Sequence, residues 1–236
     1  MKNLIKNISE ASGLKTLLLE DNLLNPILCY FEDRKDFYIL IWSKYSNLLE
    51  QLSIDENGHN LDLGINAYID TIKEYEQVKS FGSIIDFNLS SIVSVELEDL
   101  DDQDVLKNVH KIEENYKIAK KYILPYLYAD FEKLVNKLEN SSVNEIPEKL
   151  NYLALLNSNV INSKEDSWYQ LLMNLFIKLP FLNYHSGSFG LTTISQLFDE
   201  GLSDKQKILL QNINENYAED LDIDIFITHL QLDRDE

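Results

Sequence analysis

Short hydrophobic runs near the N-terminus are typical of β-strands. Residues 27–31 and 37–42 are rich in β-branched and aromatic side chains and flank a polar segment, which predicts a β-hairpin over residues 27–42. From residue 83 to 97, hydrophobic side chains recur at every second position, which predicts two more strands with a turn near residues 88–91. A small antiparallel sheet with helices packed against one face would use all of these segments.

Helical spacing takes over in the following segments. Between residues 61 and 79, hydrophobic side chains recur at steps of three and four, which predicts one buried helix face. A second helical stripe begins after Asp104, and we expect Pro125 to end it because proline lacks the backbone N–H that a helix interior requires. The members of this stripe are Val105, Val109, Ile112 and Tyr116. A further helical face consists of Phe131, Leu134, Val135 and Leu138.

Capping boxes, in which a serine precedes an acidic or amide side chain by three residues, mark three helix starts. They pair Ser142 with Glu145, Ser163 with Asp166, and Ser203 with Gln206. The helix after Ser163 has the clearest buried face and is expected to end at Pro180. That face consists of Trp168, Leu171, Leu172, Leu175, Phe176 and Leu179. Residues 221–228 alternate again and predict a last strand.

Together these patterns predict an α+β fold, with a small antiparallel sheet in the N-terminal half and a mostly helical C-terminal half. Residues 1–126 would form the α+β region, and residues 127–236 the helical region. No repeat and no glycine-, serine- or proline-rich linker separates the two. The change of pattern near Pro125 can therefore mark a domain boundary or lie inside one continuous domain.

Acidic side chains outnumber basic ones almost two to one. The 236-residue chain has 40 Asp and Glu against 21 Lys and Arg, which gives a formal charge of −19. Such a surface repels phosphate backbones, so we expect no direct nucleic-acid binding by the chain alone. The charge can serve solubility only, or it can complement a basic protein partner and speed association with it.

Segments that would direct the chain to a membrane are not evident. No hydrophobic run approaches the length of a membrane span, and the first residues lack the hydrophobic core of a signal peptide. The single cysteine, Cys29, lies in a hydrophobic run, which predicts a buried core residue rather than a disulfide or zinc ligand. We therefore expect a cytoplasmic protein that does not contact membranes.

Motifs of known catalytic and metal sites are also missing from the sequence. Residues 96–104 are densely acidic and can in principle hold a hard cation, but a solvated loop with carboxylates at a helix N-terminus explains them more simply. The four histidines lack metal-ligand spacing, and residues 185–190 are interpreted as an exposed turn rather than a nucleophile or phosphate loop. We therefore expect no catalytic residue, cofactor or metal, and a protein that is not an enzyme.

One segment resembles a known family. Residues 112–126 read IEENYKIAKKYILPY, in which an I-E-x-N segment leads to K-K-Y-I, and they follow a strand like residues 37–42. This arrangement resembles the middle component of bacterial ABC three-component systems, which include Lamassu-type and plasmid-clearing defence operons. The resemblance implies a non-enzymatic adaptor subunit that bridges an SMC-like, DNA-sensing ATPase and an effector such as a nuclease.

The resembling segment also contains the candidate contact residues. Lys120 and Lys121 form a basic pair on an acidic chain, and Tyr122 and Tyr126 offer aromatic contact area, so we predict that these four residues form a partner interface. The alternative is that the segment is a helix whose hydrophobic side chains simply pack inward. The alternative function is an acidic immunity protein or antitoxin that neutralises a basic toxin through charge attraction.

Overall fold

The computed structural model describes residues 1–21, 23–52, 60–139, 141–158 and 167–185 of the chain. The capping boxes predicted at Ser163 and Ser203 lie outside the described residues. So do the turn predicted beyond His185 and the strand predicted at residues 221–228. The predicted division of the chain after residue 126 stays a prediction.

A five-stranded sheet forms the centre of the described chain. Its strands, in spatial as well as sequence order, are β1 (Lys15–Leu18), β2 (Ile27–Tyr30), β3 (Phe37–Lys44), β4 (Leu89–Leu97) and β5 (Lys120–Leu127). The first three strands pair in antiparallel fashion, which confirms the predicted hairpin, whereas β3, β4 and β5 run parallel. The fold is α+β, as predicted, but its sheet is mixed rather than purely antiparallel.

Helices fill the long connections between strands. They are α1 (Lys2–Ala11), α2 (Tyr45–Leu52), α3 (Leu61–Lys73), α4 (Glu76–Lys79), α5 (Ile84–Asn88), α6 (Gln103–Glu114), α7 (Tyr128–Lys137), α8 (Ile146–Leu156) and α9 (Ser167–Lys178). Because parallel neighbours need a crossover, β3 reaches β4 through α2 to α5, and β4 reaches β5 through α6. The helix predicted over residues 61–79 is confirmed as α3 and α4, and the predicted capping box of Ser142 and Glu145 forms just before α8.

Two hydrophobic cores lie on opposite faces of the sheet. Along β4, Ile92 packs into one core, while Val93 and Val95 pack into the other. Helices α1, α7, α8 and α9 contribute to the first core, on what we call the α1 face, and α2, α3 and α6 contribute to the second, on the α3 face. Strands buried on both faces are hydrophobic at almost every position. Cys29 is fully buried in the α1-face core, as predicted.

The helix predicted to end at Pro180 is confirmed as α9. Its residues Trp168, Leu171, Leu172 and Leu175 are buried, Leu179 just beyond it is buried too, and Phe176 is partly buried. The helix ends at Lys178, before the proline. Among the described residues, no helix is both long and hydrophobic enough to cross a lipid bilayer.

The prediction of two strands over residues 83–97 is wrong. Residues 84–88 form the short helix α5, and a single strand, β4, follows. Ile85 and Phe87 suggested one strand face, yet Ile85 is buried and Phe87 is 87% exposed. Residues two apart lie on nearly opposite sides of a helix, so the alternating hydrophobic residues that would share one strand face are divided here between a buried and an exposed side.

The prediction of a helix running to Pro125 is also wrong. Helix α6 ends at Glu114, and Asn115 has an extended backbone, so that Tyr116 lies beyond the helix and is 68% exposed. Pro125 instead lies within β5, which pairs on one side with β4 and forms an edge in the described sheet. An edge strand tolerates proline because a position whose N–H would face the unpaired side loses no ladder hydrogen bond.

Candidate interaction site

The four residues predicted to form an interface lie on β5, but they do not share one surface. Successive side chains of a strand point to opposite faces, so Lys121 lies on the α3 face with Ile123, while Tyr122 and Tyr126 lie on the α1 face. Lys120 is exposed, and its Nζ lies 4.7 Å from the centre of the Tyr122 ring. The strand conformation therefore separates the predicted lysine pair.

Lys121 is a buried structural residue rather than an exposed contact. Its side chain is 1% exposed, and its Nζ donates to the backbone oxygen of Ala119 at 3.1 Å and to that of Asn115. Asn115 in turn donates from Nδ2 to Oδ2 of Asp62 on α3 at 2.7 Å. Burial lowers the pKa of Lys121 to about 8, and the Asp62 carboxylate opposes part of that shift. Through these hydrogen bonds to backbone oxygens, Lys121 stabilises the loop between α6 and β5.

The exposed part of this segment is a patch that we call the basic strip, formed by Tyr116, Lys117, Lys120 and Tyr122. Tyr116 and both lysines are exposed, and Tyr122 is half-buried. The Tyr122 hydroxyl raises the pKa of Lys120, and Tyr116 and Glu113 contribute to the same shift at longer range. Lys120 therefore lies beside Tyr122 and near Tyr116, and Lys117 is exposed in the loop that leads into β5.

A second group of polar side chains lies at the carboxyl ends of the three parallel strands. The register pairs Lys44 of β3 with Glu96 of β4, and Glu96 with Tyr126 of β5, so the three residues form a row across the sheet. Lys44 Nζ lies 3.6 Å from Oε1 of Glu96, and the Tyr126 hydroxyl donates to Oε2 of Glu96 at 3.3 Å. Burial, and then the Glu96 charge, raise the pKa of Tyr126.

A cleft of about 330 Å³ opens beside this row, towards α2 and α6. Exposed carboxylates of Glu98, Asp99 and Asp102 lie at its rim, and its walls include Tyr45, Leu49, Leu97 and Val105. The half-buried Glu96 and its partner Lys44 also line the cleft. We call these residues the acidic cleft. Hydrophobic walls below a carboxylate rim suit a lysine or arginine side chain, whose aliphatic stem packs while its charged end reaches the rim.

Asp102 explains why this acidic segment begins a helix. Its Oδ1 accepts the backbone N–H groups of Asp104 and Val105, both at 3.1 Å, and so caps the first turn of α6. Carboxylates are also stabilised at this end of a helix by its dipole, which agrees with the loop interpretation of residues 96–104. Among the described residues, no group of three or more His, Cys, Asp and Glu side chains can hold a metal ion.

Comparisons with protein-family models, with curated proteins and with solved structures found no match for this chain. The evidence for a function is therefore the chain's own sequence and geometry. Sequence reasoning placed Tyr126 in an interface and noted Glu96 only as part of the acidic segment 96–104, and it missed Lys44 and the row that the three residues form. Ligands of open parallel sheets bind beyond the carboxyl ends of the strands, so this rule points to residues such as Lys44 and Glu96. The rule could not be applied to the sequence, because the parallel pairing of the strands was not known.

Proposed function

We propose that the chain is a non-enzymatic adaptor subunit of a bacterial defence complex, acting in the cytoplasm against phages or plasmids. It would bridge an SMC-like, DNA-sensing ATPase and an effector such as a nuclease. The resemblance of residues 112–126 supports the family. The presence of two oppositely charged surfaces, the acidic cleft and the basic strip, supports a bridging role.

The observation that carries the proposal is the separation of these two surfaces. Lys120 begins β5, whereas Tyr126 lies near its end beside Glu96 of the acidic cleft. A strand rises about 3.3 Å per residue, so Lys120 and Tyr126 lie about 20 Å apart along β5. An adaptor needs two contact areas that two proteins can occupy at the same time, and this spacing provides them.

Charge supports the choice of partner surfaces. The chain carries a formal charge of −19, so a basic protein segment is attracted to it from a distance and is oriented by the carboxylates at the cleft rim. The basic strip is a local exception, and its exposed Tyr116 ring offers contact area at low entropic cost. The two partners would therefore present opposite charges to the chain.

The alternative function is an acidic immunity protein or antitoxin that neutralises a basic toxin. The acidic cleft supports this alternative as well, because inhibition needs a single surface complementary to a basic enzyme. The two functions differ in whether the basic strip is also needed.

Co-purification with the products of neighbouring genes tests the proposal. We expect wild-type chain to capture an SMC-like ATPase and an effector, Glu98→Lys to lose one of them, and the double variant Lys117→Glu with Lys120→Glu to lose the other. Matched controls are Glu132→Lys on α7 and Lys35→Glu in the β2–β3 turn, which are also exposed. Melting temperatures should be unchanged in all variants, since exposed single charges contribute little to stability.

Two outcomes would contradict the adaptor function, and a third would contradict only the proposed contact surfaces. Capture of no ATPase by the wild-type chain would contradict it directly. Capture of a single basic protein, lost in Glu98→Lys and retained in the double lysine variant, would favour the immunity protein or antitoxin. Full capture of both partners by both sets of variants would exclude these surfaces as the contacts.

A further inference from the structure

A second cleft, of about 400 Å³, also borders the row of Lys44, Glu96 and Tyr126 but differs from the acidic cleft in chemistry. Its polar and aromatic lining includes Lys2, Asn25, Trp42, Lys44, Asn47 and Gln51, which we call the lysine cleft. Helix α1, strand β3 and helix α2 supply five of these six side chains. Its volume lies within the range of small-molecule sites in proteins.

The two lysines of this cleft keep donors for a ligand. Lys2 Nζ lies 3.8 Å from the centre of the Trp42 ring, and no described carboxylate lies within ion-pair distance of it. Lys44 Nζ is 3.6 Å from Glu96, which is longer than a hydrogen bond, and its side chain is 66% exposed. Both ammonium groups can therefore donate to an incoming oxygen.

Amide side chains add neutral donors beside the two cations. Asn25 has a left-handed backbone (φ 45°), held by its N–H, which donates to Oδ1 of Asp21 at 2.7 Å. Its own Oδ1 accepts the Asp21 N–H at 3.1 Å, and among the described residues its Nδ2 makes no hydrogen bond. Asn47 and Gln51 lie on α2 and are exposed.

Negatively charged side chains are scarce by comparison. Among the described residues that line the lysine cleft, Glu96 is the one carboxylate. Its two oxygens already face Lys44 and the Tyr126 hydroxyl. Two cations against one engaged carboxylate give the lining a positive balance of charge, which suits an oxygen-rich anion.

We propose that the lysine cleft binds a phosphate-bearing small molecule, whose phosphate oxygens contact Lys2 and Lys44 and whose remainder lies against Trp42. This proposal is independent of the adaptor function. A compact ligand is favoured over a nucleic-acid strand because polymer binding depends on an extended track of basic side chains that releases many counterions. The chain's charge of −19 opposes such a track, whereas a concave pair of lysines can still hold one dense anion.

Tryptophan fluorescence offers a direct test because the chain has two tryptophans, and Trp42 lines the cleft while Trp168 is buried in the α1-face core. We expect pyrophosphate to change the emission saturably as it draws the Lys2 ammonium from the Trp42 ring. The change should disappear in Trp42→Phe, in which Trp168 reports any nonspecific effect. Calorimetric titration measures the same affinity without depending on tryptophan.

Variants of Lys2 and Lys44 test whether these two lysines bind the anion. We expect Lys44→Gln to weaken pyrophosphate binding about tenfold, because it removes one charge-assisted hydrogen bond, and Lys2→Gln with Lys44→Gln to weaken it further, because it removes two. The matched control Lys120→Gln removes an exposed lysine at the other end of β5 and should bind normally. Lys44 is largely exposed, so its variant is expected to fold normally.

Other results would overturn the proposal. Absence of saturable binding up to millimolar pyrophosphate would exclude a phosphate site. Equal affinity in wild type and in both lysine variants would place the anion elsewhere. Tighter binding of a single-stranded oligonucleotide than of pyrophosphate or a nucleoside triphosphate would exclude the small-molecule assignment, because it would show that the phosphates of a polymer are the ligand.

Discussion

Lys178 Nζ donates to both carboxylate oxygens of Glu113, at 2.6 and 2.8 Å, and so joins α9 on the α1 face to α6 on the α3 face. Both helices contact β5, so the pair links the two helical layers beside the edge strand of the described sheet. About a quarter of each side chain is exposed, 23% for Lys178 and 24% for Glu113. The pair is thus partly shielded from solvent.

We expect Glu113→Gln and Lys178→Met each to lower the free energy of unfolding by about 1 kcal/mol. This loss is larger than the contribution of a typical fully exposed ion pair, because Lys178 makes two hydrogen bonds to Glu113. Urea unfolding of the two single variants and the double variant gives the coupling energy. The double variant should cost less than the sum of the singles, and the coupling should fall in high salt. Additive effects of the single variants would show that the pair contributes no stability.

Gly64 lies where α3 meets α2, and a side chain does not fit there. A Cβ at this position would lie 1.6 Å from the backbone oxygen of Leu52, so the two helices must shift apart. We expect Gly64→Ala to lower the free energy of unfolding by about 3 kcal/mol, as overpacking does at tight contacts. Thermal or urea unfolding measures the loss.

Gly82→Ala is the matched control for Gly64→Ala. No atom lies within 4 Å of a Cβ at Gly82, but its φ of +66° is left-handed. We expect it to cost about 1 kcal/mol from backbone strain alone. A Gly64→Ala variant as stable as Gly82→Ala would show that α2 and α3 separate easily.

Helix α9 could be predicted from the sequence because it buries one face. Trp168, Leu172 and Leu175 recur with a helical period because only one side of the helix meets the core, while Gln170 and Ile177 on the other side are exposed. The same argument explains why the helix that begins at residue 61 was predicted correctly, since α3 also buries one face. A local pattern predicts local structure well when a single face is buried.

The helix predicted up to Pro125 was wrong because β5 is buried on both faces, whereas α9 is buried on one. Leu124 packs on the α1 face and Ile123 on the α3 face, so the strand is hydrophobic without a period of two. Pro125 then suggested a helix end, although an edge strand also accepts proline. The lysine pair was misplaced for the same reason, because neighbours on a strand point apart.

The row of Lys44, Glu96 and Tyr126 could not be predicted from local sequence patterns. These residues are far apart in sequence and meet through the parallel register of three strands. A helical crossover lies between each pair, and its length does not encode the register. Sequence reasoning did find the acidic segment 96–104, because charge density is visible without knowing the fold.

Trp168 is expected to be a major contributor to the α1-face core. It is 4% exposed and packs edge-on against Tyr169 at 5.9 Å between ring centres. We expect Trp168→Ala to lower the free energy of unfolding by about 3–5 kcal/mol through lost burial and a residual cavity. Urea unfolding checks this value, and Ile177→Ala, at an exposed position of the same helix, is the control. Equal melting temperatures for the two variants would show that the tryptophan does not pack in the core.

Lys121 predicts a pH dependence of stability with a definite sign. Its pKa is about 8 in the folded chain against an ordinary value of 10.5, because burial disfavours the ammonium form. Between these values the unfolded chain binds more protons than the folded chain, so the free energy of unfolding should increase as the pH rises from 8. Burial also raises the pKa of Tyr38 from 10.0 to about 12, so that above pH 10 tyrosine ionisation in the unfolded chain acts in the opposite direction.

The window for observing Lys121 is pH 8 to 10, and the comparison must be between variants. Burial also raises the pKa of Cys29 from 9.0 to about 12, so above pH 9 thiol ionisation in the unfolded chain opposes the rise equally in wild type and variants. We expect Lys121→Met to lack the part of the rise that wild type shows there, whatever its stability at pH 7. Lys120→Met is the matched control, because Lys120 is exposed and its pKa is raised rather than lowered, so its curve should run parallel to that of wild type in this window. Urea unfolding at several pH values measures all three curves. A Lys121→Met curve that also runs parallel to wild type between pH 8 and 10 would show that the buried ammonium has an ordinary pKa, and that its bonds to the loop carbonyls offset the cost of its burial.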